Sequence, residues 1–307
     1  MYPGKHTVSE NRKMNVKVLK SVLAYVDGGK GSEKVIETAV AIGLAFSAYV
    51  EVLHVQRPAG PAMPCIIDGG SLIAAAEIYD VITREEAGRT EYAISLFKKY
   101  CVDPGLNVVG TDWVENVGDH KAGFSWNLVT GHGSRELGYR GRLFDLTIMA
   151  RVEEQEGGVD SSLLEAALFD TGRLVMISSD EAVRPAGARI SVAWDGSREA
   201  ARSVGMSMSF LHSAATVRVI TVGNAADCGG ADELGRYLSR HGVRNECVSL
   251  RSNGDTIARN LIEDARKYGT GLLVMGAYGH HALGEYLFGG VTREILQAGS
   301  LPLLLAH

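Results

Sequence analysis

The residues best suited to chemistry lie between Gly276 and Ser300, in the run GAYGHHALGEYLFGGVTREILQAGS. Two glycine pairs, Gly276/Gly279 and Gly289/Gly290, punctuate it, with nine residues from His280 to Phe288 between the second and third glycine. Glycines let a backbone come close to a ligand, and the free N–H groups at a helix start point at negative charge. The chemistry implied is phosphate binding.

Such a loop needs a strand before it and a helix after it. The apolar run 271–275 has the length of a buried parallel strand. Beyond the loop, Val291, Ile295, Leu296 and Ala298 fall on one side of a helix. The stretch from Gly276 is therefore a turn between strand and helix.

Strands and helices alternate along the chain. In the first half, strands are expected at 16–26, 49–55, 106–114, 143–150 and 174–178. Helices are expected from Ser32 as N-cap, over 71–100 with a break near Gly88, over 122–139 and over 160–169. The order then restarts. Strands are expected at 190–194, 216–222, 243–250, 271–275 and 303–305, and helices at 199–212, 232–241, 255–268 and 291–298. Local matches support two copies of one unit. Tyr25-Val-Asp27-Gly mirrors Ala193-Trp-Asp195-Gly, and Leu53-His-Val55 mirrors Ile220-Thr-Val222. Asp145-Leu-Thr-Ile-Met-Ala150 mirrors Gly271-Leu-Leu-Val-Met-Gly276.

This alternation predicts an α/β protein. It has two tandem Rossmann-like or flavodoxin-like sandwiches, each a five-stranded, mainly parallel sheet with helices on both faces. The expected division is a flexible N-terminus over 1–14, a first domain over 15–182 and a second over 188–307; Met14 is a candidate start. Ligands in such sheets bind outside the carboxyl ends of the strands. Asp195, Val222 and Gly276 all lie at such ends, so they can line one crevice.

The halves differ where the loop should be. The first carries Ala150-Arg151-Val152-Glu153-Glu154-Gln155-Glu156, whose glutamates would repel a polyphosphate. A single phosphate site, in the second half, is expected. The first half also carries a longer insertion at 56–104.

With 307 residues the chain has room for about two domains. Its 46% hydrophobic and 22% charged residues suit a globular protein, and a net charge of −5 disfavours nucleic acid as a partner. No apolar run reaches the ~18 residues of a membrane span. Cys65, Cys101, Cys228 and Cys247 form no Cys-x-x-Cys pair, which argues against a zinc or redox site and fits a reducing cytoplasm.

The loop resembles the universal stress protein family, whose nucleotide-binding members carry Gly-x2-Gly-x9-Gly-(Ser/Thr) after the fourth strand. Gly276, Gly279 and Gly289 match; Gly290 stands where the family has Ser or Thr. Val192-Ala-Trp-Asp195-Gly-Ser197 and Pro302-Leu-Leu-Leu305 resemble it too.

The resemblance implies that Asp195 contacts adenine and that Val222 meets it through its backbone. Gly276, Gly279, Gly289, Gly290 and Val291 would hold phosphates by N–H groups, and Thr292 would add a hydroxyl. The implied ligand is ATP or another adenine nucleotide, with or without Mg. Each residue also has a plainer reading: a turn or N-cap for Asp195, strand core for Val222, tight turns for the glycines, and a helix cap for Thr292. Trp194 reads first as core packing.

The resemblance further implies a cytoplasmic stress-response protein that acts by binding and conformation, with an unidentified protein partner. Residues 174–178 would pair with 303–305 within the chain, and a homodimer stays open. No catalytic constellation stands out, so any ATP hydrolysis would be slow. Two alternatives remain. One is a nucleotide-free dimerisation or interaction scaffold. The other is an enzyme built on the 56–104 insertion and Glu153, Glu154 and Glu156.

Overall fold

The structure is a computed structural model that describes residues 19–58, 71–114, 121–151, 161–179, 187–223, 230–251, 254–277, 290–298 and 301–307. Its first half runs β1 (Ser21–Val26), α1 (Ser32–Phe46), β2 (Tyr49–Gln56), α2 (Ser71–Phe97), β3 (Gly123–Thr130), α3 (Gly133–Gly141), β4 (Leu146–Met149), α4 (Ser161–Glu165) and β5 (Leu174–Ile177). The second runs β6 (Arg189–Ala193), α5 (Arg198–Met206), α6 (Met208–Ser213), β7 (Thr216–Val222), α7 (Ala231–Arg240), β8 (Asn245–Leu250), α8 (Ile257–Tyr268), β9 (Leu272–Gly276), α9 (Gly290–Gln297) and β10 (Leu303–Ala306).

All ten strands form one sheet, in the order β3-β2-β1-β4-β5-β10-β9-β6-β7-β8. Within each half every pairing is parallel. In each half the chain moves outward from the first strand and then returns to its other side. Right-handed crossovers consequently lie on opposite faces of the sheet.

The halves meet at β5 and β10, which pair antiparallel with Leu304 opposite Met176. This pairing covers two strand edges that would otherwise invite stray association. Burial follows the topology. The four seam residues of β5 and of β10 are all buried, whereas the outer strand β8 is half-buried to exposed along its length. Strands covered on both faces need continuous apolar runs, and edge strands do not.

Four expectations need correcting. The third strand is not 106–114 but Gly123–Thr130, a stretch expected as helix. It pairs with β2 along its whole length, from Tyr49–Gly123 to Gln56–Thr130. The stretch 106–114 is interrupted by a turn in which Trp113 N–H donates to Gly110 O (3.1 Å), and only Val108 bridges to Phe124. Second, α2 runs unbroken through Gly88. That glycine costs about 1 kcal/mol relative to alanine but breaks no hydrogen bond.

Third, the helix expected over 199–212 divides into α5 and α6 at Ser207, whose hydroxyl donates back to Ser203 O (2.6 Å). Fourth, Gly31 rather than Ser32 is the N-cap of α1. The Ser32 hydroxyl instead donates to Asp27 Oδ1 (3.0 Å) and accepts from Gly28 N–H (3.0 Å). Strand 1 is also shorter than expected, and residues 16–18 lie outside the described residues.

Candidate functional site

The second half's strand order places β6 between β9 and β7. The chain leaves β6 toward β7 on one side and comes back to β9 on the other. The crevice for a ligand opens where that direction reverses, beyond the strand ends. Register brings the expected residues level there. Ala193 pairs with Ile220 and Val192 with Val274, so Asp195 lies opposite Val222, and Trp194 opposite Gly276, where the strands run out.

Local chemistry fixes the turn after β6. The Asp195 carboxylate accepts from Ser197 N–H (2.9 Å), and Gly196 between them has φ +77°. Ser197 is the N-cap of α5 and accepts from Ala200 N–H (3.1 Å). Asp195 thus shapes the turn but does not cap the helix, and its carboxylate faces solvent. Val222 is half-buried, as is Trp194, which packs against the core and donates its backbone N–H to Ile220 O (2.9 Å). Among the described residues, no cluster of three His, Cys, Asp or Glu side chains is disposed to hold a metal ion.

Gly276 ends β9 against the first turn of α5. A Cβ there would lie 2.5 Å from Ala200 N and 2.8 Å from the Glu199 carbonyl carbon. Close backbone packing therefore requires this glycine, whatever the loop binds. Gly276→Ala should cost roughly 1–3 kcal/mol through overpacking. Urea denaturation would read it, and an unchanged midpoint would refute the packing account.

Gly290, by contrast, begins α9 with no atom of the described residues within 4 Å of an added Cβ. Val291 is half-buried and Thr292 buried inside α9, so the Thr292 side chain packs within the fold rather than standing as an exposed hydroxyl donor or as a cap before the helix. Gly279 and Gly289, together with His280 and His281, lie outside the described residues. The structure thus brings together Asp195, Val222 and Gly276, and it places Gly290, Val291 and Thr292 in the first turn of the helix that follows.

No protein-family model matches the chain, and no curated protein does. Solved structures do. A universal stress protein from Archaeoglobus fulgidus DSM 4304 superimposes with a TM-score of 0.59 at 13% identity, covering 93% of this chain and 95% of that one. The fold is that of the universal stress proteins. A functionally unknown protein from Pseudomonas aeruginosa PAO1 gives a TM-score of 0.54 at 13% identity over 94% of this chain and 92% of its own. At such identities the likeness is one of fold, and it extends over both halves, which are two tandem copies of it.

The two copies of the universal stress protein fold differ at their strand ends. By register Asp27 and Val55 are the counterparts of Asp195 and Val222. Asp27 Oδ1 accepts from Gly29 N–H (2.8 Å) and from the Ser32 hydroxyl, so this turn is also tightly bonded. Above it lies α2. A Cβ on Gly28 would sit 2.3 Å from Arg89 O, and Gly28 has φ +73°.

His54, buried at the end of β2, bonds Val26 O through Nδ1 (2.8 Å) and Thr90 of α2 through Nε2 (3.0 Å). A carbonyl can only accept, so Nδ1 carries a proton. Val55 is 5% exposed, whereas Val222 is half-buried. The long insertion therefore covers the first copy's strand ends with its own helix. Sequence reading missed this closure, because nothing local to Gly28 signals a helix from residue 89. Glu153, Glu154 and Glu156 lie outside the described residues.

Proposed function

We propose that the chain is a cytoplasmic stress-response protein that binds one adenine nucleotide, ATP or AMP, at the strand ends of its second unit, 188–307. The first unit, 15–182, supports it. The observation that carries this reading is the contrast between the halves. Asp195 is exposed beside a half-buried Val222, while the matching Asp27 is half-buried and Val55 buried, with their neighbours Gly28 and His54 packed against α2.

In this reading the Asp195 carboxylate accepts from the adenine amine and Val222 offers backbone groups. Gly276, Gly279, Gly289, Gly290 and Val291 donate N–H groups to phosphate, with Mg as an optional companion of the phosphates. The protein works by binding and by contact with a protein partner. A nucleotide-free scaffold is the second reading. It is favoured by Gly276, whose packing against α5 accounts for the glycine without a ligand.

The test is to denature purified protein and look for released ATP or AMP by mass spectrometry, then to titrate ATP into stripped protein while following melting. At about 100 times Kd, binding should stabilise by roughly 2.7 kcal/mol. No released nucleotide and no melting shift would leave only the scaffold. Gly279→Asp should abolish the shift through clash and like charge, and Glu154→Ala should leave it intact.

Gly290→Ser offers a gain of function. It adds the hydroxyl that the family resemblance expects, where no atom of the described residues lies within 4 Å of an added Cβ. One added hydrogen bond is worth about 1 kcal/mol, so ATP should bind roughly fivefold tighter by calorimetry. Weaker binding would count against a phosphate at this helix start.

A further inference from the structure

Arg151 follows β4 at the point where a glycine loop would begin if the first half had one; its counterpart in the repeat is Ala277. The Arg151 guanidinium reaches across the seam to the C-terminal end of α9. One terminal nitrogen donates to Ile295 O (3.3 Å) and Leu296 O, and the other donates to Leu301 O (2.8 Å). Ile295 and Leu296 carry two of the last carbonyls of α9, which have no partner within the helix. A cation here also complements the negative end of the helix dipole.

The opposite flank of the same loop is held across the seam as well. Ala277, directly after β9, accepts from His307 Nδ1 (3.1 Å). The His307 ring stands edge-on to Phe169 of the first half, with centroids 4.7 Å apart. The β9 end of the segment is thus linked to the first half through His307, and the far end of the helix that follows it through Arg151.

We infer that Arg151 is a positioning residue for the phosphate end of the second half's site. A helix of eight residues is about 12 Å long and rigid, so fixing its C-terminal end sets where its first N–H groups point. The inference rests on the nucleotide reading above. It adds that the first copy, without a ligand of its own, orders the other copy's phosphate-binding helix. The substitution of a glycine loop by Ala150-Arg151 is then a gain: it converts a lost site into a support.

The experiment compares Arg151→Met with wild-type full-length chain, using ATP and adenosine as probes in calorimetry and hydrogen exchange on ligand-free protein. Charge-assisted bonds to carbonyls are strong enough that their loss should weaken ATP roughly tenfold. Adenosine, which has no phosphate, should bind as before. Exchange should quicken over residues 290–298 and not elsewhere in the second half. Arg151→Lys should recover part of the ATP affinity. Arg173→Met, removing an exposed arginine that bonds Arg142 O within the first half, should change nothing.

Equal weakening of ATP and adenosine would overturn the inference, as would faster exchange across the whole second half, since either marks a general structural defect. Unchanged ATP affinity in Arg151→Met would overturn it too. A wild-type chain that binds neither probe would instead refute the nucleotide reading, and the inference with it.

Discussion

Replacing Gly28 by alanine is expected to destabilise the protein by roughly 2–5 kcal/mol. Two costs combine. Gly28 has φ +73°, where an L side chain strains the backbone by about 1–2 kcal/mol. The new Cβ would also lie 2.3 Å from Arg89 O, a backbone atom of α2 that cannot rotate away. The helix would have to lift, and overpacking of this kind costs about 1–3 kcal/mol. Lifting α2 also threatens the bond between His54 Nε2 and Thr90 and the stacking of His54 on Trp126, 6.0 Å apart. Urea denaturation reads the cost. A loss below about 1 kcal/mol would mean that α2 is not held on these strand ends.

Leu304→Ala should remove about 2–5 kcal/mol, the usual range for truncating a buried leucine. Leu304 is fully buried in β10 opposite Met176 of β5, so the cavity opens at the seam between the halves. Because one sheet runs through that seam, the two halves should unfold in a single transition in wild type and variant alike. Tryptophan placement allows a direct reading, since Trp126 lies in β3 and Trp194 just beyond β6. Trp113 also belongs to the first half. With Trp194 changed to phenylalanine the remaining two report the first half, and with Trp113 and Trp126 both changed the remaining one reports the second. Coincident midpoints that shift together in Leu304→Ala are the expected result. Two separate midpoints, with only one shifted, would show that the halves fold independently.

Much of the second half is written locally. The strand 216–222 is found with its expected bounds, and the strand ending at Gly276 and the helix from Gly290 stand within a residue of where their residue types put them. The repeat, with its pairs Asp27/Asp195 and Val55/Val222, was enough to propose a crevice in the second half and to name the matching positions in the first. The third strand was harder. Both 106–114 and 123–130 carry β-branched and aromatic residues, and only pairing with β2 decides between them. The turn at Gly110 leaves the second stretch as the one that fits the whole of β2.

What the sequence by itself determined is therefore the alternation, the repeat and the division into two parallel units, because each rests on patterns within windows of a few residues. Three matters were left to the tertiary structure. One is that α2 lies on Gly28 and so closes the first half's strand ends. Another is that Gly276 is demanded by the approach of α5 as well as by any ligand. The last is that Arg151 serves a helix 145 residues further along the chain. Each is a contact between segments remote in sequence, and each is fixed by how the sheet brings strand ends together. A glycine or an arginine looks the same in sequence whether it meets a ligand, a neighbouring helix or the other half of its own fold.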